Sequence, residues 1–148
     1  MNKLFQKCPP SVILTLLALI AVGCAMTSDM GQKEIKVALS GDQEVPPVKT
    51  SATGSATFVI AADKTVTGKV TTSGVEATAA HIHEAAKGAN GPVIVPLAKA
   101  ADNSWSPAAG AKLTDAQYSS YLAGNLYVNV HSAANKAGEI RAQLPAVK

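Results

Sequence analysis

Short apolar or β-branched runs recur along most of this chain, and turn residues stand between them. Ile35 to Leu39 is the first, closed by Ser40-Gly41-Asp42. Ser55 to Ile60 follows, then Thr65 to Thr72 after the turn Ala61-Ala62-Asp63-Lys64. Ala77 to Glu84 and Val93 to Leu97 come next, and Leu126 to His131 and Glu139 to Leu144 finish the chain. Strands at this spacing predict an all-β fold, an antiparallel β-sandwich of Greek-key type. One segment departs from the pattern. Thr114-Asp115-Ala116-Gln117 reads as a capping box, with Thr114 as N-cap and Gln117 three residues on. It predicts one short helix running to about Leu122 and stopped by Gly124-Asn125.

The N-terminus reads as a targeting segment. Lys3 and Lys7 form a basic start, and Ser11 to Gly23 is almost continuously apolar. That run is short of the ~20 residues needed to cross a bilayer but suits a signal peptide. It ends in Ala21-Val22-Gly23-Cys24, which is similar to a bacterial lipobox, with Ala21 where Leu is usual. The expected organisation is a signal peptide over 1–23, a lipidated Cys24 with its tether over 24–34, and a β domain over 35–148. The expected location is the cell envelope, with the lipid holding the domain to a membrane and facing the periplasm or exterior.

Cysteine usage fits. Cys8 leaves with the signal peptide and Cys24 carries lipid, so the exported domain has no disulfide. Removing Lys3 and Lys7 from 13 basic residues leaves 11 against 10 acidic ones. No basic stripe with interleaved aromatics is present, which argues against a nucleic-acid partner.

All three histidines fall in two strand-like segments. His81 and His83 lie in Ala79-Ala80-His81-Ile82-His83-Glu84, and His131 ends Asn125 to His131. Residues i and i+2 of a strand share a face, so His81 and His83 project side by side, opposite Ile82. The last hairpin has a self-consistent register if His131 faces Glu139. Asn129 then faces Arg141, Tyr127 faces Gln143, and Val130 faces Ile140. One face is wholly apolar and the other wholly polar, and a slip of one residue mixes them. His131 then lies on the polar, outer face, and the histidines are expected to be displayed rather than packed.

Leu39-Ser40-Gly41-Asp42-Gln43-Glu44-Val45-Pro46-Pro47-Val48, Gly54-Ser55-Ala56, Ala80-His81-Ile82-His83, Gly91-Pro92-Val93, Tyr127 to His131 and Gly138-Glu139-Ile140-Arg141 together resemble the CHRD domain. That family takes its name from chordin and is widespread in secreted bacterial proteins. The resemblance spans about residues 36–144. It implies an extracytoplasmic β-rich module and implies no reaction. The His-x-His strand with a distant third histidine is also similar to copper-zinc superoxide dismutases, which carry metal outside a β-barrel. This chain departs from them, with too few histidines for both ligand sets and no disulfide.

Three neutral imidazoles with an open position suit zinc, and imidazole also suits copper. The candidate metal ligands are therefore His81, His83 and His131. Glu44, Glu84, Glu139 and Arg141 are candidates for the surrounding shell that orients them. The competing expectation is a structural or adhesive surface domain. In it the histidines only brace the sheet, His131 bonds Glu139, and Arg141 pairs with Glu44 or Glu84. An oxidoreductase using bound copper is a third reading. No catalytic cysteine and no Ser-His-Asp arrangement is apparent, so no catalytic residue is assigned. A protein partner is expected, of unknown kind.

Overall fold

A computed structural model describes residues 33–100 and 103–147. The signal peptide, Cys24 and most of the tether lie outside the described residues. Eight strands and one α-helix follow in order: β1 (Ile35–Ser40), β2 (Thr53–Ile60), β3 (Val66–Ser73), β4 (Ala77–Glu84), β5 (Val93–Lys99), β6 (Ser104–Pro107), α1 (Asp115–Leu122), β7 (Leu126–Ser132) and β8 (Ile140–Gln143).

All strand pairs are antiparallel, and the sheet closes on itself in the order β1-β2-β3-β6-β5-β4-β7-β8. The fold is all-β as expected, but it is a closed barrel rather than a sandwich. The difference lies in β6, a strand the sequence pattern did not reveal. Trp105 pairs with Val70 of β3 and with Lys99 of β5, so β6 joins two strands that would otherwise be free edges. At the other seam Ser40 pairs with Arg141, joining β1 to β8. Closure leaves no free edge among the described strands.

Alternation fills the barrel. Leu39, Phe58, Val70, Ile82, Val128 and Ile140, each from a different strand, are among its buried side chains. Each projects from the inner face, and neighbours along the strand face outward. The Thr114–Gln117 capping box is formed in both directions, and α1 covers the 115–122 stretch as the sequence predicts. Gly124, with φ of 78°, takes the chain out of it.

Strands β4, β5 and β6 are sequential neighbours, and β7 then returns to lie beside β4. That arrangement is a Greek key, with α1 in the returning connection. Its consequence for function is direct. It lays the strand carrying His131 against the strand carrying His81 and His83.

Candidate metal centre

Strands β4 and β7 pair so that Ala79 faces His131, His81 faces Asn129, and His83 faces Tyr127. The final hairpin has the predicted register, with Asn129 opposite Arg141 and Val130 opposite Ile140. The three histidines therefore share the outer face of two adjacent strands. One ring nitrogen from each lies within 4.8 Å of the others. Three ligands held at the ~2.0–2.1 Å usual for imidazole on zinc lie about 3.3–3.6 Å from one another. Closing the cluster on an ion therefore takes side-chain adjustment of up to about 1.5 Å.

The outer face is not displayed to solvent as expected. His83 is only 7% exposed, and Tyr127, Asn129 and Arg141 are buried. Two loops cover this side of the barrel. Thr50, from the loop between β1 and β2, donates to Glu139 at 2.7 Å. The β4–β5 loop contributes Asn90 Oδ1 and the Ala89 carbonyl, which accept from Arg141 at 3.0 and 2.8 Å. His81 and His131 remain half-buried, so the cluster keeps a side open to water.

Hydrogen bonds fix the state of each ring. His83 Nδ1 lies 2.9 Å from the Gly91 carbonyl, which can only accept. Nδ1 therefore carries the proton, and Nε2 carries a lone pair. That Nε2 is buried and has no partner. His131 Nδ1 likewise donates to the Lys136 carbonyl at 2.9 Å, which leaves its Nε2 as an acceptor. His81 Nδ1 sits 3.0 Å from that Nε2 and is the donor between them. Asn129 Oδ1 is buried without a donor as well.

Electrostatics favour neutral rings. His81 and His83 are both held below the usual histidine range, chiefly by burial. Neighbouring imidazoles add to the effect, as does the Arg141 charge at His83. The Gly91 carbonyl and Asn129 act the other way on His83 without winning. Only the neutral imidazole coordinates a metal, so this environment keeps His81 and His83 in their binding form.

Among the described residues, none of the four other candidate residues has a hydrogen bond to a histidine ring. Glu84 accepts from Ser120 Oγ. Glu139 accepts from Thr50 rather than His131, and hydrogen bonding from Ser132 is the main cause holding its carboxyl below the usual range. Arg141 makes no ion pair with Glu44 or Glu84 among the described residues and bonds neutral groups instead. Burial pushes Glu44 up to about 7 despite the Arg141 charge beside it. The groups that orient the histidines are two backbone carbonyls, of Gly91 and Lys136.

Gly91 is the pivot of this arrangement. Its carbonyl holds His83, and its N–H donates to the Tyr127 hydroxyl at 3.2 Å. A Cβ there would collide with the Glu84 carbonyl, so only glycine lets the loop close this near β4. In the sequence Gly91 stands out only within Gly91-Pro92-Val93, and its link to His83 depends on how the loop folds back.

No curated protein and no solved structure shows a significant match to the chain. The model of the CHRD domain family matches residues 35–144, from the first strand to just past the last, and the chain belongs to that family.

Proposed function

We propose that this CHRD domain is a metal-binding module of the cell envelope, holding one copper or zinc ion through His81, His83 and His131. The observation that carries the reading is the His83 Nε2 lone pair, buried and without a partner beside two further imidazole nitrogens. An unsatisfied buried acceptor costs about 1–3 kcal/mol, and a bound cation recovers it. The open side at His81 and His131 supplies an entry path. Cys24 lies eleven residues before Ile35, where the barrel begins, and, as the lipid-bearing residue, tethers the module to the membrane surface.

Isothermal titration of the untagged protein with Zn(II) and Cu(II) tests the site. The expected result is one saturable ion, with each single alanine variant at 81, 83 or 131 binding at least about tenfold more weakly, roughly 1.4 kcal/mol. The absence of saturable binding, or undiminished binding by the triple variant, rejects it. The second reading then stands. It is favoured by the His81–His131 hydrogen bond, which pairs one nitrogen of each ring without any ion. The anchor is tested separately. Cys24→Ser is expected to shift the protein from the membrane to the soluble fraction, and unchanged fractionation rejects the anchor.

A further inference from the structure

The charges around the three-histidine cluster narrow the kind of ion it is built for. Its ligands are three neutral imidazoles, and no carboxylate or thiolate belongs to the cluster among the described residues. Metal-binding histidines commonly donate their second N–H to a carboxylate, which brings negative charge toward the ion. Here the two outward N–H groups go to the carbonyls of Gly91 and Lys136, which are neutral. Of the nearby acids, Glu84 is turned to Ser120 and Glu139 to Thr50, and Glu44, buried beside Arg141, is pushed up to about 7 by burial.

The strongest neighbouring charge is positive. Arg141 is 1% exposed and its guanidinium carbon sits 3.4 Å from the centre of the Tyr127 ring. The other face of that ring stacks on His83, with centroids 4.8 Å apart and planes 12° from parallel. Two planar groups cannot occupy one face of the ring at these distances, so Tyr127 separates the guanidinium from His83 by one ring thickness. Arg141 bonds Asn90, Ala89 and Gln143, which are neutral, and the buried Glu44 carboxyl beside it, pushed up to about 7, offsets its charge only as pH rises through that value.

A divalent ion here would add two uncompensated charges beside a buried cation. A monovalent ion adds one, and repulsion in a poorly screened site scales with that charge. Among metal ions that imidazole holds well, the monovalent one is cuprous copper, which is satisfied by few ligands and has no need of an anionic one. From this absence of negative charge and the buried Arg141 beside His83, we infer that the site selects Cu(I) over divalent ions. The inference rests on the metal-site reading and commits it to one ion.

Competition against chromophoric chelators tests it, with Cu(I) measured under anaerobic reducing conditions and Zn(II) in parallel on the same untagged protein. Cu(I) is expected to bind at least about 100-fold more tightly than Zn(II). Asn129→Asp places a carboxylate beside His83 and is expected to narrow that ratio at least about tenfold. Ala79→Glu does the same from the partly exposed position opposite His131, and it serves if the buried aspartate prevents folding. Zn(II) binding as tightly as Cu(I), or a ratio that neither carboxylate changes in a folded variant, overturns the selectivity and leaves the metal site standing. Failure of both ions to bind overturns the site itself.

Discussion

His83 lies flat against Tyr127, its cross-strand partner, with ring centroids 4.8 Å apart and planes 12° from parallel. The stack does two things at once. It buries one face of a metal-site ring, and it completes a layer in which Tyr127 also covers the Arg141 guanidinium at 3.4 Å. Aromatic stacking and cation–π contact each contribute about 1 kcal/mol beyond the area they bury.

Two substitutions at Tyr127 separate those roles. Tyr127→Phe keeps the stack and loses only the hydroxyl contacts to Gly91, so it is expected to cost about 1 kcal/mol of stability. Tyr127→Leu removes the aromatic face from both neighbours and is expected to cost about 3 kcal/mol. Urea denaturation measures both. Equal losses would mean that the hydroxyl, rather than the ring, holds this layer together.

Gly91→Ala is expected to be severe for a residue in a turn. The added Cβ meets the Glu84 carbonyl, so the loop must lift and release His83 Nδ1. The expected loss is about 2 kcal/mol or more, since backbone collision is added to a lost hydrogen bond. Nitrogen-15 spectra of the histidine ring should report a single Nδ1–H tautomer for His83 in the parent protein and a mixture in a folded variant. An unchanged tautomer in the variant would remove Gly91 from its orienting role.

The hairpin register was readable because the apolar and polar residues of Leu126 to His131 and Ile140 to Leu144 alternate without a fault. Its faces could therefore be assigned before the structure. The shared placement of the three histidines followed once β4 and β7 became neighbours, which parity alone could not decide. Strand β6 was illegible for a physical reason. Its only apolar residue before Pro107 is Trp105, set between two serines, so it carries no alternation to detect. Missing it turned a barrel into a sandwich. Burial of the outer face was hidden as well, because it comes from loops folded back over β7 and β8. The orienting carbonyls of Gly91 and Lys136 carry no residue-type signature, since every residue has a carbonyl and only conformation aims it.

Trp105→Ala tests the role of that missed strand. Trp105 is buried and pairs across both of its seams. Truncation is expected to cost about 3–5 kcal/mol and to loosen the seam it closes. Hydrogen exchange should rise at backbone amides of β5 and β6 before it rises in β7. Uniform acceleration across the barrel would mean that closure is not locally controlled.

Glu44→Gln is expected to stabilise the protein in alkali. Burial raises the folded-state value of Glu44 to about 7, above its ordinary 4.5, so the native state holds a proton that the unfolded chain has lost. Stability from this group is fully present below pH 4.5 and disappears as pH rises through 7. Glutamine cannot ionise. Relative to the parent, the variant should gain about 2–3 kcal/mol between pH 5 and pH 8. Parallel pH profiles for the two proteins would show that Glu44 ionises freely in its pocket.

His83 has the opposite sign, and Glu44→Gln provides the background in which to see it. Burial, the leading cause, depresses the folded-state value of His83 below the ordinary 6.5. The unfolded chain therefore takes up a proton that the native ring resists. Stability from this group is present above pH 6.5 and is lost as pH falls from there through the lower folded value. A bound cation steepens the loss, because it competes with the proton for the same Nε2 lone pair. The Glu44→Gln protein, stripped of metal by chelator, should lose stability between pH 7 and pH 5, and the Glu44→Gln/His83→Gln protein should lose less. Urea midpoints at the two values measure the difference. If the double variant loses as much as the single one, His83 is not a buried neutral ring, and the basis for an available lone pair at the centre of the site is gone.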